Sequence, residues 1–129
     1  MNDNQLIKLL AGKETPFYAF DLDRLRRRIQ ALRKALPDHI HLCYAVKANT
    51  FILKEMSGLV ERFEICSPGE LRICQKLQLS PEKFVISGVY KDPSLMSRLI
   101  SGQDRIGIYT VESRMQFSIL HEAATAAKR

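Results

Sequence analysis

From Pro37 onward, short apolar runs alternate with amphipathic helical stretches, and that alternation restricts the fold more than any other feature of this chain. Strand-like runs cover residues 40–47, 62–66, 84–87 and 106–111. Helical periodicity covers 52–60, 67–77, 92–100 and 112–127, and the connections between them are short. Repeated βα units predict a parallel sheet with right-handed crossovers. A length of 129 residues suits one domain. A closed eight-stranded barrel typically needs about 250 residues. The pattern therefore predicts either an open four-stranded α/β sheet or the first half of a barrel ending after its fourth unit.

The residues before the alternation read as a short helix, Gln5 to Leu10, ended near Gly12, and then a strand from Thr15 to Phe20. Pro16 sits near the start of that strand, where a missing N–H is tolerated. Asp21 is placed to cap a helix whose Leu22, Leu25, Ile29, Leu32 and Leu36 repeat at helical spacing, and Pro37 stops it. Further on, Ser67, Pro68 and Glu70 form a capping-box pattern ahead of the apolar stripe Leu71, Cys74 and Leu77. Asp92-Pro93 starts the next helix, and Met115, Ile119 and Ala123 line one side of the last.

Composition excludes several classes. The chain is 46% hydrophobic and 26% charged, as globular domains are, and lacks an apolar stretch long enough to span a bilayer. Its first residues lack the basic-then-apolar plan of a secretory signal. Cys43, Cys66 and Cys74 form no Cys-x-x-Cys pair, which predicts reduced thiols in a cytoplasm. No metal is expected. The net charge of +6 concentrates in Arg24, Arg26, Arg27, Arg28, Arg33 and Lys34. These cations interleave with an apolar stripe and lack aromatic stacking partners, so they read as a solvated helix face rather than a nucleic-acid surface.

Lys47 ends the run His41-Leu42-Cys43-Tyr44-Ala45-Val46, which reads as a buried strand. Lysine is almost never buried without a partner. A lysine at the end of a strand in an α/β pattern points toward the face where such folds place their chemistry. Strand alternation puts Cys43, Ala45 and Lys47 on one face and Leu42, Tyr44 and Val46 on the other. In a barrel the lysine face is the lumen, and its small neighbours either leave room for Schiff-base chemistry or merely fit a crowded interior. On the next strand Glu64 and Cys66 lie opposite Phe63 and Ile65. Glu64 sits either at a sheet edge in water or in the same interior as Lys47. Neighbouring strands lie about 4.8 Å apart, so the two side chains can meet, and a carboxylate there favours a protonated amine. His39, His41 and His121 read as surface or packing residues.

Tyr44-Ala45-Val46-Lys47-Ala48-Asn49 resembles the cofactor-lysine motif of the pyridoxal-phosphate decarboxylases acting on ornithine, diaminopimelate or arginine, whose fold is shared with alanine racemase. Further segments resemble the family in order: Thr15 to Asp21, Phe63 to Leu71, Pro81 to Gly88, and Thr110-Val111-Glu112-Ser113, where the family usually has Asp before Ser. The resemblance implies the N-terminal half, about four βα units, of an alanine-racemase-like (β/α)8 barrel. It divides the chain into residues 1–21, an N-terminal helix and leading strand, and residues 22–129, a partial pyridoxal-phosphate-binding barrel domain. It implies that Lys47 holds pyridoxal phosphate as a Schiff base. Glu64 falls where the family usually has an aspartate near that lysine, and Glu70 matches a glutamate ordering the same corner. The parent activity implied is loss of an amino acid's α-carboxylate as carbon dioxide, in a cytoplasmic enzyme that is a homodimer at full length. The chain alone is expected to be inactive, because later family residues lie outside it, and prone to associate, because its fourth strand is unpaired and its interior unclosed. A non-catalytic relative that binds the cofactor or a partner, and a related racemase, are the alternatives.

Overall fold

The computed structural model describes residues 3–14 and 16–129. The chain divides into two compact units, residues 1–40 and 41–129.

The first unit carries helix α1 (Asp3–Leu10) and helix α2 (Leu22–Ala35). Asp21 caps α2 as its position predicts: its side chain accepts from Arg24 N at 2.9 Å. That bond holds the Asp21 carboxyl below its ordinary range. The basic face is solvated, and Arg26 pairs with Asp23 at 3.1 Å. The strand expected over Thr15–Phe20 is not present: residues 16–20 carry no strand, and Thr15 lies outside the described residues. A β-prone segment needs a partner for its backbone groups. Here Phe17, Tyr18 and Phe20 are all exposed.

The second unit contains β1 (Cys43–Ala45), α3 (Leu53–Met56), β2 (Arg62–Ile65), α4 (Pro68–Lys76), β3 (Phe84–Ile86), α5 (Pro93–Ser101), β4 (Ile108–Tyr109) and α6 (Arg114–Ala126). The strands pair in parallel in the order β1-β2-β3-β4. A doubly wound open sheet reverses its strand order at a switch point. This sheet does not reverse, so it is singly wound, as in the first half of a (β/α)8 barrel.

The two faces differ accordingly. Phe63 and Ile65 of β2 stand opposite Phe84 and Ile86 of β3, and all four are buried. Each contributes about 1.5–3 kcal/mol by leaving water. The alternate residues Arg62, Glu64 and Val85 are only half-buried, and Cys43 and Ile108 are exposed. The open face is the one the sequence assigns to the lumen.

Several elements are shorter than their apolar runs. β1 stops at Ala45 rather than reaching Lys47, and residues 46–48 turn through 3₁₀ geometry. The turn is set by packing and by Asn49. Val46 is fully buried, the Tyr44 hydroxyl donates to Asn49 O at 2.8 Å, and Phe51 N donates to Asn49 Oδ1 at 2.8 Å. α3 covers 53–56 of the expected 52–60, and β4 covers 108–109 of the expected 106–111. In α4, Leu71 and Cys74 are buried as expected, whereas Leu77 stays exposed. In α6 the buried positions are Gln116 and Ala123, and Met115 faces solvent.

Candidate functional site

Lys47 sits just past the carboxyl end of β1 on the 3₁₀ turn. Its side chain is 61% exposed, so the reading of a buried strand lysine is corrected. The backbone turns out of the sheet before Lys47, leaving the amine over the open face rather than under a helix. Its Nζ lies 3.6 Å from Glu64 Oε2 and 3.9 Å from Cys66 Sγ. Glu64 faces the same side as the lysine, as one of the two sequence readings had it, because Ala45 is its register partner on β1. Its other oxygen, Oε1, accepts from Ser87 Oγ at 3.2 Å. The amine, carboxylate, thiol and hydroxyl thus come together at the carboxyl ends of three adjacent strands.

Glu70 is held differently. Its Oε2 accepts from Cys66 N at 2.9 Å and its Oε1 from Ser67 Oγ at 2.9 Å, while Glu70 N donates to Ser67 Oγ at 3.2 Å. The Ser67 half of a capping box on α4 is present, while the Glu70 carboxylate reaches one residue further back, to the N–H of Cys66. Glu70 therefore fixes the backbone of Cys66, the thiol neighbour of Lys47. Burial pushes the Cys66 thiol up, Glu64 adds to that, Lys47 opposes it, Glu70 raises it again, and the Ser87 hydrogen bond lowers it.

The loop after β3 completes the corner. Gly88 has φ +92°, and a Cβ on it would lie 2.8 Å from Cys66 O. Only glycine fits that close approach without strain. Gln116 of α6 is 1% exposed; its Nε2 donates to Gly88 O at 3.2 Å and Val89 O at 2.9 Å, and its Oε1 accepts from Glu112 N at 2.9 Å. Lys91, 2% exposed, donates to Gly88 O at 3.2 Å, and burial pulls its ammonium below the ordinary lysine range.

Ser87 and Gln116 join this corner through contacts between residues far apart in the chain, and Lys91 through the carbonyl of Gly88 close before it. Ser113 and Gln116 have capping-box spacing, and Ser113 Oγ does accept from Gln116 N at 3.2 Å. That spacing could have flagged Gln116; nothing local flags Ser87 or Lys91. His41 and His121 are exposed, the latter stacked on Phe117 with ring centroids 5.7 Å apart.

Residues 22–128 match the family described as pyridoxal-dependent decarboxylase, pyridoxal binding domain. The chain belongs to that family. Its cofactor is accordingly pyridoxal phosphate. Among family relatives, the diaminopimelate decarboxylase of Aquifex aeolicus is 35% identical over 112 residues, 85% of this chain and 26% of that one. The lysine/ornithine decarboxylase of Selenomonas ruminantium is 33% identical over 67% of this chain and 22% of its own length. The chain thus spans about a quarter of the curated relatives it matches. The crystal structure of Helicobacter pylori diaminopimelate decarboxylase complexed with L-lysine superposes with a TM-score of 0.77 at 25% identity, over 95% of this chain and 32% of that one. A solved structure from Aquifex aeolicus gives 0.79 at 32% identity, over 96% and 31%.

The residues present fit a pyridoxal aldehyde. An exposed primary amine stands over an open sheet face with a carboxylate at 3.6 Å to balance a positive nitrogen. Cys43 and Ala45, the residues preceding it on its face, are small.

Proposed function

We propose that this chain is the lysine-bearing half-barrel of a pyridoxal-phosphate-dependent amino-acid decarboxylase, with Lys47 as the residue that holds the cofactor. The observation that carries this reading is the Lys47 amine itself. It is exposed at the carboxyl end of β1, on the open face, and paired with Glu64. When bound, pyridoxal phosphate supplies an electron sink for the charge left on the α-carbon as the carboxylate departs as carbon dioxide.

The chain's own residues supply placement and charge. Lys47 Nζ is the attachment point for the aldehyde carbon. Glu64 keeps a positive charge favourable at that nitrogen, and Ser87 holds Glu64 by its second oxygen. Glu70 acts one step back, by fixing the Cys66 backbone. We assign residues 22–129 to the partial cofactor-binding barrel and residues 1–21 to a lead-in. The names of the relatives favour diaminopimelate or a similar basic amino acid as the substrate of the whole enzyme. By the same reading the whole enzyme is a cytoplasmic homodimer. Four strands are half of what a closed barrel requires, so this chain alone carries the lysine side of the site without turnover.

The test is to mix the chain with pyridoxal phosphate, reduce with borohydride and map the adduct by peptide mass. Labelling concentrated at Lys47, and lost in Lys47→Ala, is expected. Labelling spread evenly over the surface lysines overturns the assignment.

A further inference from the structure

Two polar side chains in the second unit are almost completely buried, Gln116 at 1% and Lys91 at 2% exposure, and both donate to the carbonyl of Gly88 at 3.2 Å. Burying an amide and an ammonium is unfavourable unless their hydrogen bonds return the cost. Apolar side chains of similar size would pack there without that penalty. What the two donors hold is one carbonyl, that of the residue following Ser87.

Ser87 is the hydroxyl that binds Glu64 Oε1 at 3.2 Å, and Glu64 Oε2 is the partner of Lys47 at 3.6 Å. The tether is reinforced on two sides. A Cβ on Gly88 would meet Cys66 O at 2.8 Å, so the loop rests against the end of β2. Gln116 Oε1 takes the N–H of Glu112, so the segment after β4 hangs on the same amide. Gly88 O and the Ser87 hydroxyl belong to consecutive residues, so a shift of the loop at Gly88 is passed to the backbone that carries the Glu64 contact.

We propose that Gln116 and Lys91 are positioning residues for the Lys47 amine, acting in series through Gly88, Ser87 and Glu64. Neither touches Lys47. Their relevance to catalysis rests on Lys47 being the cofactor amine, but the tether itself does not. This inference deepens the proposed function by naming what sets the charge environment of that amine.

The test needs no cofactor. The chain is acetylated with limiting reagent, and the rate at Lys47 is taken relative to exposed Lys54 and Lys76 by peptide mass mapping. The rate at Lys47 reports how closely the amine is held against Glu64, 3.6 Å away, because an amine engaged by a neighbouring carboxylate is less available to the reagent than one in open water. Gln116→Leu, Lys91→Met and Ser87→Ala are each expected to raise the Lys47 ratio about twofold, the scale of a lost exposed ion pair. Gln116→Leu combined with Ser87→Ala is expected to raise it no further than either alone, because the two changes cut one path. A merely structural role for Gln116 would lower the melting temperature and leave the ratio where it was. Should Gln116→Leu fail to fold, Lys91→Met decides the matter, since it removes a buried charge and keeps the chain length. An unchanged ratio in Lys91→Met, or a fourfold rise in the double variant, overturns the tether. Loss of selective pyridoxal labelling at Lys47 with the acetylation pattern intact would instead overturn the proposed function alone.

Discussion

Replacing Gly88 by alanine tests how tightly the carboxyl ends of β2 and β3 are fitted together. Two costs add. A left-handed backbone at φ +92° costs an L-residue about 1–2 kcal/mol. The new Cβ would also stand 2.8 Å from Cys66 O and 3.3 Å from Cys66 Cα, both backbone atoms that cannot swing aside. Relieving that contact means separating the strand ends where Ser87 N donates to Ile65 O at 2.9 Å, a bond with a net worth of about 1 kcal/mol. The expected loss is about 2–4 kcal/mol. With a mid-range urea slope of about 2 kcal/mol per molar, the unfolding midpoint falls by about 1–2 M. Gly58→Ala is the control, because its Cβ would meet no atom within 4 Å. It is expected to change stability by less than about 1 kcal/mol. The assay is equilibrium urea unfolding followed by far-UV circular dichroism. A Gly88→Ala midpoint within about 0.3 M of the parent would refute the close-packing argument, and with it the mechanical basis of the Gly88 tether.

Ser67→Ala removes the hydroxyl that both accepts from Glu70 N and donates to Glu70 Oε1. The loss of an N-cap is worth about 1 kcal/mol, so the melting temperature should fall by about 4–8 °C; an unchanged value would mean that the cap is redundant. Alkaline pH probes the core. Burial pushes the Tyr109 phenol up to about 12 and the Cys74 thiol up to about 11, from 10.0 and 9.0. Both groups hold their protons longer in the folded chain, so the stability they contribute is complete below about pH 9 and is lost as pH rises through 11 to 12. Lys91, lowered by burial from 10.5, has the opposite sign: its contribution grows as pH rises toward 10.5, is complete above that value and is lost as pH falls. Urea midpoints measured between pH 10.5 and 11.5 should therefore fall; a flat or rising series contradicts the burial of Tyr109 and Cys74.

Much of the fold was legible because it is written in local patterns. The βα alternation, the Asp21 cap and the Ser67 cap depend on neighbours a few residues apart, and each forms as read. The facing within each strand was legible for the same reason: a period of two puts Glu64 with Cys66 and opposite Phe63 and Ile65. Errors arose where a local preference needed a distant partner. The apolar segment after Thr15 has the composition of a strand but makes no ladder over residues 16–20. Lys47 lies in an apolar run but stands exposed on a turn, because Asn49 and the buried Val46 end the strand early.

The sequence by itself determined the order of the elements, the polarity of the two sheet faces and the presence of a lysine just after the first strand in a family-like motif. These follow from periodicity, capping chemistry and a motif whose residues are contiguous. Tertiary structure alone decided that the sheet winds in one direction. It also decided which of the Glu64 alternatives holds, and that Ser87, Lys91 and Gln116 converge on one loop. Gln116 and Gly88 are 28 residues apart, and no local pattern encodes a contact across that separation. It exists because parallel crossovers return every strand to the same end of the sheet, where the loops that follow them must share space.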